Sequence, residues 1–124
     1  MTESSDFLAD TYALIEVIGG NPGYAPYLGS VLATTKFHLA EQYYHLLRFY
    51  SVEEANRYFD FYSGFLVPVS LSSIAAAMQF KLQHKDEKLS YADCIGCGVA
   101  AELGIKFLTG DEKFRNKENV EFVK

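Results

Sequence analysis

Short apolar runs alternate along this chain with longer segments of helical periodicity, a pattern that points to a mostly parallel sheet with helices on its faces. Phe7 to Asp10 reads as a first strand, followed by a helix from Thr11 to Ile18 with Leu14, Ile15 and Ile18 at helical spacing. Gly19-Gly20-Asn21-Pro22-Gly23 stops that helix, and a brief helical segment is expected over Tyr24–Leu28. Val31–Thr34 reads as a second strand. Thr35 is an N-cap candidate for a helix through Tyr50, and Ser51 with Glu53 and Glu54 opens another, ended by Gly64. Phe65–Val69 is expected as a third strand, with Pro68 placing it at an edge. A helix opens in the Ser70–Ser73 cluster, and Gln83–Lys88 reads as a loop. Ser90 caps a helix through Leu103 that Gly104 terminates. Ile105–Thr109 is a fourth strand, Glu112–Lys117 a short helix and Val120–Val123 a fifth strand.

The chain has 124 residues, which suits one domain over residues 1–124. About half of the residues are apolar, enough for a core without disulfide staples. No apolar run reaches the roughly 20 residues that cross a bilayer, and MTESSDFLAD lacks the basic start of a signal peptide. A cytoplasmic location is the default expectation. Cys94 and Cys97 fall inside a helix, so the pair reads as small residues packed on a helix face rather than as a redox or zinc motif. The three histidines, His38, His45 and His84, show no ligand or triad spacing and read as surface residues.

A net charge of −5 argues against broad, nonspecific nucleic-acid binding. It does not exclude a nuclease, because clustered carboxylates bind divalent cations that invert the local field. In parallel sheets ligands gather beyond the carboxyl ends of the strands. Asp10, Asp93 and Asp111 fall at or near such strand-to-helix junctions, and Glu41 lies two turns inside a helix among Phe37, Leu39, Tyr43 and Tyr44. Each acid also has a purely structural reading. Asp10 and Asp111 can cap helices, Asp93 can complete a capping box with Ser90, and Glu41 can sit on a solvated face. Together they have the chemistry of a magnesium site, in which a few carboxylates suffice because Mg²⁺ keeps several waters. One such ion can generate hydroxide near neutral pH, and a second, if present, can steady a phosphodiester's departing oxygen.

These residues resemble the PIN-domain family, especially the toxin half of VapBC toxin–antitoxin pairs. The likeness is carried by Phe7-Leu8-Ala9-Asp10-Thr11, by Phe37-His38-Leu39-Ala40-Glu41, and by Leu89 through Asp93, Ala100 through Gly104 and Phe107 through Asp111. The resemblance implies a three-layer α/β/α sandwich around a five-stranded sheet of order 3-2-1-4-5. It implies Mg²⁺- or Mn²⁺-dependent cleavage of RNA by Asp10, Glu41, Asp93 and Asp111 acting as catalytic metal ligands, supported by Thr11 and Thr109. It further implies a homodimer and a separate antitoxin. The chain departs from the family pattern at Tyr12, which is bulky, and at Lys113, where relatives carry a further acid. One ion is therefore expected and a second is left open.

Lys36, Lys113 and Arg115 adjoin the acids in sequence and are candidate contacts to RNA phosphates. Lys85, Lys88 and Lys117 adjoin them too, and Tyr43, Tyr44 and Tyr91 are candidates for stacking on bases. Two other readings stand beside the toxin: a noncatalytic PIN-like domain that binds a protein, and a housekeeping RNA-processing nuclease. A receiver-like signalling domain is disfavoured, since Asp6 and Asp10 lie on one strand rather than side by side on a loop.

Overall fold

The computed structural model describes residues 5–124. The first four residues, part of the segment read as lacking a signal peptide, lie outside the described residues. The chain runs β1 (Phe7–Ala9), α1 (Thr11–Gly19), a 3₁₀ segment (Pro22–Tyr27), β2 (Leu32–Ala33), α2 (Lys36–Phe49), α3 (Val52–Ser63) and α4 (Leu71–Gln83). A 3₁₀ turn (Lys85–Glu87), α5 (Tyr91–Leu103), β3 (Lys106–Thr109), a second 3₁₀ turn (Glu112–Phe114) and β4 (Val120–Phe122) complete it.

The strands form one parallel sheet of order β2-β1-β3-β4. Period-two alternation sends neighbouring side chains to opposite faces. Leu8 and Phe107 enter a core with Cys94, Ile95 and Val99 of α5 and Ala77 of α4. Ala9 and Leu108 enter a second core with Ala13 and Leu14 of α1, Leu39 of α2 and Tyr62 of α3. Helices thus cover both faces, as the three-layer expectation has it.

The expected five strands become four. Phe65–Val69 contributes a single parallel bridge, Thr34 to Leu66, held by Thr34 N–H to the Phe65 carbonyl (3.1 Å) and Val67 N–H to the Thr34 carbonyl (2.9 Å). The next residue, Pro68, has no N–H to extend the ladder. Counting that bridge as the outermost position keeps the expected order. Two connecting segments also differ from expectation. Gln83–Lys88 holds the end of α4 and a 3₁₀ turn, and the expected helix over Glu112–Lys117 shrinks to a turn over Glu112–Phe114.

Helix ends are capped as their residues dictate. Asp10, Thr35, Ser51, Ser70 and Ser90 each accept a backbone N–H from the first turn that follows. Gly104 closes α5 in the left-handed region at φ 71°, giving its N–H to the Ala100 and Ala101 carbonyls. No helix among the described residues is long and apolar enough to cross a membrane.

Candidate metal centre

Strand ends place two of the acids, Asp10 after β1 and Asp111 after β3; Asp93, expected near another strand-to-helix junction, instead follows α4 and a 3₁₀ turn, and Glu41 lies inside α2. Asp10 follows β1 and is buried, with 1% of its surface exposed. Its Oδ1 accepts the Ala13 N–H at 2.8 Å and its Oδ2 accepts the Thr109 hydroxyl from the neighbouring strand. Thr109 Oγ1 also accepts the Asp111 N–H at 3.0 Å, so one hydroxyl orients two of the acids. Asp111 caps the turn after β3, its Oδ1 accepting the Lys113 N–H at 3.0 Å. Glu41 is exposed on α2 rather than half-buried as its apolar neighbours suggested, and Thr11 Oγ1 donates to its Oε1 at 2.6 Å.

Asp93 lies in the first turn of α5. Its N–H reaches Ser90 Oγ at 3.0 Å, half of the expected capping box. The carboxylate turns away from that box to His38, whose Nε2 lies 3.1 Å from Asp93 Oδ1. His38 is fully buried, which overturns its reading as a surface residue. Thr35 Oγ1 accepts the His38 N–H at 3.2 Å and lies 2.8 Å from Nδ1. A carboxylate only accepts, so the contact with Asp93 is made by a proton on Nε2, while the Thr35 hydroxyl faces Nδ1 from the other side of the ring. His45 and His84 are partly exposed; His84 pairs with Glu87 at 2.6 Å.

Asp10, Thr11, Tyr12, Glu41, Ser90, Asp93, Gly110, Asp111, Glu112 and Lys124 line one open cavity of about 440 Å³. All four predicted acids thus share a wall. Thr11 lines it as well, and Thr109 reaches it through Asp10. Lys124 is a basic residue on this wall that the sequence did not single out, because it is remote in sequence from every acid. Lys36, Lys113 and Arg115 do not line the cavity. Lys36 is exposed at the start of α2, Lys113 Nζ donates to the Lys88 carbonyl at 3.0 Å, and Arg115 pairs with Glu112 at 3.4 Å over the Phe122 ring. Tyr44 and Tyr91 are exposed, whereas the Tyr43 hydroxyl is engaged by Asn56 at 2.6 Å. Tyr12, the bulky departure, fits because Gly110 has no side chain: a Cβ there would lie 2.1 Å from the Tyr12 ring.

Burial raises the Asp10 carboxyl to about 7, and the Asp93 charge pushes the same way; the bonds from Thr109 and Ala13 and the nearness of His38 oppose it. Among the described residues no three His, Cys, Asp or Glu side chains converge as a ready-made ligand cage. The donor chemistry nevertheless fits a hard divalent cation. Buried like charges are costly until a cation neutralises them, and carboxylate oxygens around an open cavity suit Mg²⁺ or Mn²⁺, which keep several water ligands of their own. Elsewhere, burial raises both thiols, Cys97 to about 11, so neither cysteine has the low-pKa setting of a reactive thiol.

A parallel α/β domain with a carboxylate-lined cavity at the carboxyl edge of its sheet is a recognisable class. The chain belongs to the PIN-domain family, whose sequence model matches residues 7–120. No curated protein matches the sequence. Among solved structures the fold is similar to a toxin–antitoxin complex from Klebsiella pneumoniae (TM-score 0.71, 17% identity, 93% of this chain and 95% of that one). It is similar to PAE2754 from Pyrobaculum aerophilum (TM-score 0.72, 15% identity, 98% and 92% covered). It is also similar to VapBC2 from Rickettsia felis bound to a DNA fragment from their promoter (TM-score 0.70, 15% identity, 95% and 98% covered).

Proposed function

We propose that this chain is a divalent-metal-dependent endoribonuclease and the toxin of a toxin–antitoxin pair. The observation that carries the reading is the gathering of Asp10, Glu41, Asp93 and Asp111 on one cavity wall, in a chain of the PIN family. Asp10, Glu41, Asp93 and Asp111 would hold Mg²⁺ or Mn²⁺. When bound, the ion supplies an activated water and charge stabilisation at the phosphate. Thr109 orients Asp10 and Asp111, and Thr11 orients Glu41. Lys124, whose Nζ lies 3.6 Å from Glu112 on the same wall, offers a phosphate its positive charge. One ion is the simplest stoichiometry, because Lys113 stands where a further acid would extend the site.

The similar folds that occur in toxin–antitoxin complexes support an antitoxin partner for this chain. So do the exposed Phe37, Tyr44, Phe49, Tyr50, Phe59 and Phe61 along α2 and α3, which exceed what a solitary surface needs. A homodimer and a cytoplasmic setting accompany this reading. The test is cleavage of a labelled RNA pool with Mg²⁺, with Mn²⁺ and with EDTA. Cleavage that needs the ion, and that EDTA abolishes, supports the proposal; equal cleavage in EDTA sinks it. A noncatalytic, protein-binding role is the second reading, favoured by Lys113. It predicts no cleavage under any of these conditions.

A further inference from the structure

The His38 side chain occupies a seat built for it. Its imidazole is fully buried and held at both nitrogens, by Thr35 Oγ1 at 2.8 Å and Asp93 Oδ1 at 3.1 Å. The ring leans on the backbone of α5 at Gly96, where any Cβ would lie 2.6 Å from His38 Cε1 and 2.8 Å from Phe107 Cε1. A glycine inside a helix costs about 1 kcal/mol relative to alanine, so this one is best explained by the ring it admits. His38 also sits one turn before Glu41 on α2. Its bond to Asp93 is the one polar link between α2 and α5 among the described residues. That link ties the helix carrying Glu41 to the helix carrying Asp93.

We infer that His38 is a positioning residue of the acidic centre: its Nε2–H fixes the rotamer of Asp93 and locks the Glu41 and Asp93 helices in register. The inference rests on the metal-site reading above. The geometry has a clear division of labour. Oδ1 of Asp93 is taken by the imidazole, and Oδ2 has no protein donor among the described residues, so it is left for a cation. An outer-shell donor that orients a ligating carboxylate in this way is worth roughly 10–100-fold in metal affinity. Thr35 contributes by holding the ring from its other side, with Oγ1 2.8 Å from Nδ1 and accepting the His38 backbone N–H.

The test compares wild type with His38→Leu, which fills the seat without a donor, and His38→Gln, whose amide N–H can reach the position of Nε2. The readout is the Kd for Mn²⁺ alone by calorimetry, with the melting temperature as a check on folding. His38→Leu is expected to bind Mn²⁺ at least about 10-fold more weakly, and His38→Gln to recover to within about threefold of wild type. Equal Mn²⁺ affinity in wild type and folded His38→Leu overturns the positioning role and leaves the metal site standing. A wild type that takes up no Mn²⁺ overturns both. Nitrogen NMR of the imidazole in the unmutated protein decides the matter if His38→Leu does not fold. A proton on Nε2 supports the role, and a bare Nε2 contradicts it.

Discussion

The Thr109 hydroxyl donates to Asp10 Oδ2 and simultaneously accepts the Asp111 backbone N–H at 3.0 Å, joining the acid after β1 to the acid after β3. Both partners are buried at the bond, where a hydrogen bond to a charged group is worth about 1.5–3 kcal/mol. Thr109→Val keeps the shape and removes the donor. It should lower the stability of the metal-free protein at pH 8 by about 2 kcal/mol and cut RNA cleavage at least about tenfold. Thr109→Ser, which keeps the hydroxyl, should restore most of both. Urea unfolding and a cleavage time course check the pair.

Asp10 gives the metal-free protein a definite pH dependence. Its folded value is raised from 3.8 to about 7, chiefly by burial. A carboxyl so raised holds its proton more tightly when folded, so ionising it penalises the native state. The penalty is absent below pH about 4, grows as pH rises and is complete above about 7, reaching on the order of 4 kcal/mol. Asp10→Asn removes the charge. In EDTA the variant should therefore gain on wild type as pH climbs from 5 to 8. Mn²⁺ should reverse the order at pH 8 by stabilising wild type alone. Urea titrations at several pH values check this, and parallel stability curves would contradict it.

Gly110 and Tyr12 should be coupled. A Cβ at Gly110 would meet the Tyr12 ring at 2.1 Å and the Val123 carbonyl oxygen at 2.6 Å. Gly110→Ala should therefore cost about 1–3 kcal/mol through overpacking. Adding Tyr12→Ala relieves the ring clash but not the clash with the backbone oxygen. The double variant should recover part of the loss, and a double-mutant cycle of unfolding energies measures the coupling. Strict additivity would contradict the packing described.

Lys124 and Lys36 should separate in RNA binding. Lys124 lines the acidic cavity and Lys36 does not. Lys124→Gln should weaken binding of a single-stranded RNA and lower the salt slope of log K by about 0.7, the signature of one lost phosphate contact. Lys36→Gln should change neither. Binding measured over a range of salt, in Ca²⁺ to suppress turnover, distinguishes them.

The helix starts were legible because their signals are local. Thr35, Ser51, Ser70 and Ser90 cap within one turn of themselves, and Gly104 ends α5 by its own backbone freedom. Asp10 and Asp111 were legible because strand ends in a parallel sheet are where ligands gather, whereas Asp93 reaches the cavity from a helix that follows another helix and a 3₁₀ turn. The third strand was overread: Phe65–Val69 has the composition of a strand, but Pro68 cannot extend a ladder and one bridge is all that forms. His38 was missed because its partner, Asp93, is 55 residues away and no spacing rule connects them. The available signal was indirect, a glycine at position 96 inside a helix, and Gly98 gives the same signal with nothing packed against it. Lys124 escaped for the same reason, since only the return of the chain beside β3 brings it to the cavity.

RNA cleavage by the acids on this wall is proposed to run through a bound cation. This is tested most directly by the cleavage rate of Asp93→Asn relative to wild type at saturating Mn²⁺, with folding verified by melting. Loss of a metal-ligating charge should lower the rate by about 100-fold or more, with the fold retained. A folded Asp93→Asn that cleaves within about twofold of wild type would contradict the account.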